Sequence, residues 1–544
     1  MQKERKAPIG GDKGGFLSGV GILGTATVLS KMIGLFYRIP IVSLVGIGGM
    51  AYFLAASHIY VTLYLIVSAG LPVAVSILVA EKCAACDRVG IARVFRLSLA
   101  CFALLGTLGA GALLLLAEEI ADRIGLPDAA LCLRVIAPTL LFSCISAAIR
   151  GYFQGLRRMT PTAVSEVIES LSKLIFGLGF AKYAVTRGYP KDVTAAFAVG
   201  GLLVGACLSM LYLTVQKLRD RHWCNADLTG GTEGARETLL RILRIAAPVT
   251  GNALVLSIAS VIDTALIPSR LLSSGLEPSE AEALYSGYGN LALPLFNFPA
   301  ALITPIALAL VPYLSAAIRS QSREGEWNVT ASALRLATLL SIPASMGLSV
   351  FSAPILQLLY PREPSAVASA APLLSILALS VLTSCLITVT NAILSAYGKA
   401  SRALISMALG AGCKLIMEYF LVGNADVGIY GAPISTFLCN LVVTVCNLWT
   451  VTRCIKGSFS AGRLFFRPFL ASSVAVGCAG AVYLALPPDG LLHTVGVLLS
   501  VAVAGGVYLF SALRNGTLSG EDLLLFPKGD RIAGLLLRAR KGSG

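Results

Sequence analysis

Apolar stretches of about 20 residues follow one another along almost the whole chain, and short polar turns separate them. A helix of that length crosses a hydrocarbon core of about 30 Å with all its backbone hydrogen bonds satisfied. The pattern predicts an all-α integral membrane protein with about 14 transmembrane helices. The predicted spans are residues 16–38, 51–80, 97–117, 130–150, 161–183, 193–216, 245–267, 288–317, 329–351, 372–396, 403–423, 428–452, 468–487 and 491–513.

Composition agrees with a membrane protein, since 56% of the 544 residues are hydrophobic and only 13% are charged. Of the 43 Lys and Arg residues, 31 lie at the N-terminus, in every second loop after it, or in the C-terminal tail. Basic residues in short loops mark the cytoplasmic side, so both termini are predicted to be cytoplasmic. Contact with anionic membrane lipids accounts for the net charge of +15 without nucleic-acid binding.

The chain is predicted to consist of two related six-helix lobes and two additional helices. A shift of 241 residues aligns Ser143, Cys144 and Lys173 with Ser384, Cys385 and Lys414 without gaps. An even number of spans per lobe makes the repeats parallel, related by a pseudo-twofold axis, with the substrate site expected between them. Chance similarity of Leu- and Ser-rich helices is the alternative. The predicted segments are a cytoplasmic N-terminus (1–15), N-lobe (16–216), cytoplasmic linker (217–244), C-lobe (245–452), predicted spans 13 and 14 (468–513) and cytoplasmic tail (514–544).

Two cations lie within the first apolar stretch. Lys31 and Arg38 are seven residues apart, so a helix projects both from one face about 10 Å apart. Charge in hydrocarbon is unfavourable by at least about 2.5–3.5 kcal/mol, which makes such residues candidates for function. Their spacing suits a bulky anion.

Carboxylates within other spans are candidates for proton or cation coupling. The alternative for the glutamates is an ion pair that only fixes helix packing. The alternative for Asp263 is a position near the outer membrane interface. The candidates are Glu166 and Glu169 beside Lys173 in the fifth span, Glu418 beside Lys414 in the eleventh, and Asp263 in the seventh.

Proline and glycine interrupt the second and eighth spans, which are corresponding members of the two lobes. We predict hinges at Gly70, Pro72 and Pro305. The alternative is an ordinary proline kink. The sequence contains no convincing catalytic motif, phosphate-binding loop or metal-ligand pattern, so we predict a transporter rather than an enzyme, with no cofactor and no metal.

Three motifs carry a family resemblance: residues 150–155 (RGYFQG) followed by 159–165 (MTPTAVS), residues 30–40 (SKMIGLFYRIP), and residues 69–76 (AGLPVAVS) through Glu81 and Lys82. They resemble the stage V sporulation protein B family of polysaccharide-type transporters in the multidrug/oligosaccharidyl-lipid/polysaccharide (MOP) flippase superfamily. The resemblance extends over the whole 14-span plan and is weaker in the second half.

The resemblance implies a lipid-linked glycan diphosphate as substrate, because some members resemble lipid II flippases. Lys31 and Arg38 would then contact the diphosphate, and spans 13 and 14 would form a groove for the lipid tail. Lipid II flippases also place basic residues in their second and eighth helices, whereas residues 52–79 and 288–317 of this chain contain no Lys or Arg. The remaining substrate-binding candidates are therefore Arg150, Lys173 and Lys414.

The sodium site of lipid II flippases resembles positions near Asp263, Glu418 and Ser435 of this chain. Lys414 stands on the same helix face as Glu418, and its ammonium can take the place of a metal cation. Sodium coupling is therefore doubtful, and drive by protons or by the membrane potential stays open.

The predicted function is a flippase that moves a polyprenyl-diphosphate-linked cell-wall precursor, with lipid II favoured, across the bacterial cytoplasmic membrane by alternating access. Membrane lipids and cell-wall synthases are further candidate partners. The alternatives are a sodium- or proton-coupled multidrug exporter and a non-transporting scaffold for cell-wall or spore-cortex synthesis. A membrane glycosyltransferase would need a larger loop than any that the sequence offers.

Overall fold

The structure is a computed structural model that describes residues 13–68, 70–85, 87–220, 234–321, 323–455, 462–485 and 490–514. All regular structure in these residues is helical. The α-helices are α1 (Lys13–Ser68), α2 (Leu71–Ala84), α3 (Arg88–Arg123), α4 (Ala129–Gly155), α5 (Thr160–Thr186), α6 (Lys191–Arg219), α7 (Ala235–Ser273), α8 (Pro278–Ser286), α9 (Leu293–Arg319), α10 (Arg323–Val350), α11 (Ser352–Leu359), α12 (Pro364–Ala378), α13 (Ser380–Ala396), α14 (Ala400–Val422), α15 (Gly431–Cys454), α16 (Arg467–Leu484) and α17 (Gly490–Arg514).

The all-α membrane fold is confirmed. In the described parts of the chain, nine helices are long and apolar enough to span a membrane, or ten if the bent pair α12 and α13 forms one span. Helix α5 falls outside this number because it carries four charges, at Glu166, Glu169, Lys173 and Lys182. The total of 14 spans stays a prediction.

Contacts divide the chain into two compact units, Met1–Ala265 (unit 1) and Leu266–Gly544 (unit 2). The division lies inside α7, whereas the predicted lobes are separated by the basic segment 217–244, of which residues 221–233 lie outside the described structure. Within unit 1, α5 packs against α6 and α1, while α4 packs against α3 and α6. Within unit 2, α14 packs against α15, and α13 packs against α9, α10 and α15.

The first two predicted spans are organised differently from the sequence prediction. Within α1, two helical segments meet at a kink at Gly46, where φ is 76°, and this kink lies in residues 39–50, which the prediction places between the first two spans. Glycine adopts this left-handed conformation without a Cβ clash. The second span is divided after Ser68: Gly70 caps α2, and Pro72 lies in the first turn of α2, where a missing N–H breaks no helical bond.

Unit 2 contains two irregularities that the sequence did not indicate. A π-helical turn, Gly287–Ala292, joins α8 to α9, and the N–H of Leu293 bonds to the carbonyl of Tyr288 five residues earlier. Pro294 follows at once, and because it has no N–H the ordinary i to i−4 ladder cannot continue there. Helices α12 and α13 are bent by 47° where they meet.

The turns that follow α4 and α13 repeat the same geometry 241 residues apart. In the first, the N–H groups of residues 156, 157 and 158 bond to the carbonyls of residues 152, 154 and 153. In the second, the N–H groups of residues 397, 398 and 399 bond to the carbonyls of residues 393, 395 and 394. The left-handed residue is Arg157 (φ 59°) in one turn and Gly398 (φ 68°) in the other. The same hydrogen-bond pattern also follows α3, α5 and α7, so it is a common helix C-terminal turn, and a structural counterpart of the sequence repeat stays a prediction.

The C-terminal pair packs within unit 2. Helices α16 and α17 contact each other, and α16 also packs against α10. Ala471, Ala475, Tyr508 and Ala512 form a small apolar cluster with Leu339. The Tyr508 hydroxyl donates a hydrogen bond of 2.6 Å to the Leu339 carbonyl, which fixes α17 to α10. A lipid-binding role for this pair stays a prediction.

Candidate functional site

A charged cluster joins α4, α5 and α6 inside unit 1. The Arg150 guanidinium on α4 donates to Ser165 Oγ (2.9 Å), to Glu169 Oε2 (2.8 Å) and to Ser209 Oγ (3.0 Å). All three bonds use Nε and Nη2, so Nη1 has no hydrogen-bond partner among the described residues. The Arg150 side chain is 16% exposed. The bonds therefore orient the guanidinium and leave one of its nitrogens available.

Lys173 lies on the same helix as Glu169, one turn further on. Its Nζ is 5.1 Å from the centroid of the Tyr37 ring on α1, a cation–π distance. Among the described residues, the Lys173 ammonium makes no hydrogen bond and no ion pair within 4.0 Å. Arg38 is near enough to repel it electrostatically. Glu169 attracts the Lys173 ammonium in turn, but without a direct ion pair or hydrogen bond in the described structure this ammonium is a candidate contact for an anion.

Glu166 is held separately from Arg150. Thr27 on α1 donates a hydrogen bond of 2.9 Å to Glu166 Oε2. The two carboxylates of α5 therefore have different partners, a neutral hydroxyl for Glu166 and a guanidinium for Glu169. The backbone of Lys31 lies in α1, but its side chain is outside the described structure, so its predicted contact with the substrate stays a prediction.

A second ionic group is fully buried in unit 2. Lys414 (2% exposed) and Glu418 (0% exposed), one turn apart on α14, approach to 3.9 Å. Ser435 on α15 donates to the same Glu418 oxygen at 3.2 Å and to the Ala432 carbonyl at 2.8 Å. The structure thus brings together three predicted residues, and an internal ammonium stands beside the carboxylate. Their roles in coupling stay predictions.

Asp263 is also buried, on the part of α7 that belongs to unit 1. Its neighbour Thr264 bonds to His58 Nδ1 (2.8 Å) on α1, and one heptad earlier Ser257 bonds to Thr62 (2.8 Å). Polar contacts at seven-residue spacing fix one face of α7 against α1.

The predicted hinge residues lie at helix ends and within a helix. Seven residues before Ser257 on α7, Thr250 Oγ1 accepts a hydrogen bond of 3.1 Å from the Gly70 N–H. A Cβ on Gly70 would collide with the Ala246 carbonyl, which explains a glycine there. Pro305 lies inside α9, with its side chain outside the described structure. A hinge role for Gly70, Pro72 and Pro305 stays a prediction.

Tyr37, Thr27 and Ser209 were not predicted from the sequence. Tyr37 adjoins Arg38 in the 30–40 motif, which could have pointed to it. Thr27 and Ser209 carry no such signal, because single hydroxyls are common in membrane helices and only packing gives them a charged partner.

A multi-pass helical membrane fold with charges buried among its helices is typical of membrane transporters. The chain matches the family model "Polysaccharide biosynthesis protein" over residues 16–318 and the "MatE" model over residues 286–420. It belongs to the polysaccharide biosynthesis protein family of the MOP flippase superfamily.

Three curated relatives from Bacillus subtilis (strain 168) match almost end to end. "Uncharacterized membrane protein YabM" is 24% identical, over 97% of each chain. "Stage V sporulation protein B" is 24% identical, over 94% of this chain and 98% of its own. "Lipid II flippase MurJ" is 25% identical, over 96% of this chain and 98% of its own.

Solved structures agree on the fold. "Lipid II flippase MurJ, inward closed conformation" covers 90% of this chain and 97% of its own, with a TM-score of 0.68 at 16% identity. An inward-facing multidrug resistance MATE family transporter covers 79% of this chain and 98% of its own, with a TM-score of 0.66 at 19% identity. At these identities the likeness concerns the fold alone.

Proposed function

We propose that the protein is a flippase for a polyprenyl-diphosphate-linked cell-wall precursor, with lipid II as the favoured substrate. The observation that carries the proposal is the Lys173 ammonium, which lies within an apolar helix bundle without an ion-pair partner in the described structure. A diphosphate supplies the oxygen acceptors that this ammonium and Arg150 Nη1 lack. The lipid II flippase relative supports the choice of substrate.

The cationic residues contribute to diphosphate binding in two ways, by charge and by geometry. Lys173 and Arg38 attract the diphosphate as cations, while Arg150 offers a planar guanidinium already oriented by Ser165 and Ser209. The polyprenyl tail stays in lipid during passage of the headgroup. In this proposal the protein lies in the bacterial cytoplasmic membrane with both termini cytoplasmic, works by alternating access, and draws on protons or the membrane potential.

The test measures transfer of fluorescent lipid II across proteoliposome membranes. Lys173→Met keeps the length and apolar stem of the side chain but removes its charge, so we expect at least a tenfold loss of transfer rate. Lys182→Met is the matched control, since Lys182 lies exposed near the end of the same helix. Transfer at the wild-type rate by a folded Lys173→Met protein would refute the assignment.

Two alternatives give different outcomes. The MatE match and the MATE fold bring a multidrug exporter into consideration. Such an exporter would extrude a cationic dye, and Lys173→Met would increase the rate of extrusion. A non-transporting scaffold would support growth of cells depleted of their lipid II flippase whether or not Lys173 is charged. The flippase restores growth only with Lys173 intact.

A further inference from the structure

Unit 2 contains a cluster of uncharged polar side chains between α13 and α15. The Asn447 amide on α15 donates to Asn391 Oδ1 at 2.8 Å and to Thr390 Oγ1 at 3.1 Å. Asn447 and Thr390 are both 0% exposed, while Asn391 is partly exposed. The cluster therefore extends from the interior of unit 2 to its surface through Asn391.

Hydrogen bonding within this cluster is incomplete. Asn447 Oδ1 is buried and has no hydrogen-bond partner among the described residues. Thr390 cannot supply one, because its hydroxyl donates to the Leu386 carbonyl at 2.8 Å. The Asn391 amide N–H faces Met407 Sδ at 3.6 Å, and a thioether is a weak acceptor. Buried polar atoms are nearly always hydrogen-bonded. The unbonded Asn447 Oδ1 and the weakly bonded Asn391 N–H therefore indicate that a hydrogen-bonding partner is missing.

The internal repeat relates this cluster to the charged one in unit 1. Arg150 and Asn391 are 241 residues apart, and each lies five residues before the end of its helix, at Gly155 and Ala396. Arg150 contacts a carboxylate and two hydroxyls, whereas Asn391 contacts an amide and a thioether. The two positions that the sequence correspondence aligns thus have a charged partner in one unit and only uncharged partners in the other.

We infer that the Asn391–Asn447 cluster binds the glycan of the transported lipid at a stage of its passage. A sugar hydroxyl or N-acetyl N–H would donate to Asn447 Oδ1, and a sugar oxygen would accept from the Asn391 amide. A ligand that lacks these groups is disfavoured, because Asn447 Oδ1 and the Asn391 N–H would then stay without a good partner. This inference rests on the proposed function and adds a glycan subsite to the diphosphate site.

The experiment compares two ligands on the purified full-length protein in detergent, by isothermal titration. The probes are farnesyl diphosphate and the same diphosphate linked to N-acetylglucosamine. Asn391→Leu/Asn447→Leu replaces both amides by side chains with the same branching, which avoids leaving one amide unpaired. Thr444→Val is the control, because it removes another buried hydroxyl on α15, one that bonds to the Thr383 carbonyl at 3.3 Å.

We expect the double variant to bind the glycan-linked probe about tenfold more weakly than wild type, equivalent to about 1.4 kcal/mol. Its affinity for farnesyl diphosphate should be unchanged, and Thr444→Val should match wild type with both probes. Equal affinities of the double variant and wild type for the glycan-linked probe, or equal losses for both probes, would overturn the glycan subsite. If wild type binds neither probe, the proposed function itself fails; if it binds both equally well, only the subsite fails.

Discussion

Neutralising Glu169 tests whether its carboxylate competes for Arg150 with the diphosphate of the proposed substrate. Glu169 Oε2 lies 2.8 Å from Arg150 Nη2, and Ser165 and Ser209 hold the same guanidinium through separate bonds. Glu169→Gln keeps an amide oxygen that can accept the bond but removes the negative charge. We therefore expect Arg150 to stay oriented while a diphosphate no longer competes with a carboxylate.

The size of the effect follows from the exposure of the pair. A hydrogen bond to a charged group contributes about 1.5–3 kcal/mol when it is buried. Because the Glu169 side chain is 39% exposed, solvent screening reduces the contribution of its charge to about 1 kcal/mol. Binding of farnesyl diphosphate should then strengthen about fivefold. Transfer of lipid II should slow, since tighter binding delays release.

Isothermal titration measures the affinity for farnesyl diphosphate at low and high salt. The increase in affinity caused by Glu169→Gln should be smaller at high salt, because mobile ions screen a partly exposed charge. Glu166→Gln is the matched control: it removes a carboxylate one turn away whose partner is the neutral Thr27 hydroxyl, so we expect a smaller gain. A Glu169→Gln protein that binds more weakly than wild type would refute competition and assign Glu169 to orienting Arg150.

Three further predictions concern stability and helix packing. Arg157→Gly should raise the free energy of unfolding by about 1 kcal/mol, because a left-handed residue with a Cβ is strained; thermal unfolding in detergent measures it, and no gain would refute strain in this turn. Tyr508→Phe should destabilise the docking of α17 by about 1 kcal/mol through loss of the bond to the Leu339 carbonyl; unchanged proteolysis of the C-terminal pair would contradict this. Gly70→Ala should lower the yield of folded protein, because the new Cβ lies 2.7 Å from Thr250 Oγ1; a normal yield would show that α2 and α7 can separate at little cost.

The candidate site was only partly predictable. The sequence singled out Arg150, Glu169 and Lys173 as charges in apolar helices. It could not separate Glu169 from Glu166, because both lie on one face of α5 and their different partners belong to α4 and α1. A charge in a membrane helix is visible in the sequence, but its partner is set by how neighbouring helices are rotated.

The repeat was visible in the sequence as a weak 241-residue correspondence, and the two turns that it aligns have the same hydrogen bonds in the structure. The difference between its two copies was not visible. Asn391 and Asn447 are 56 residues apart on different helices, and nothing in their local sequence predicts that they meet.

By itself, the sequence determined the all-helical membrane class, the positions of most spans and the identity of the buried charges. Hydrophobicity and charge act locally, since each segment of about 20 residues partitions into lipid largely on its own composition. Only the tertiary structure decided the left-handed break at Gly46, the π-helical turn before α9 and the assembly of separate charged and uncharged clusters. These features depend on close packing between helices distant in sequence, where the fit of side chains and backbone decides which groups are paired.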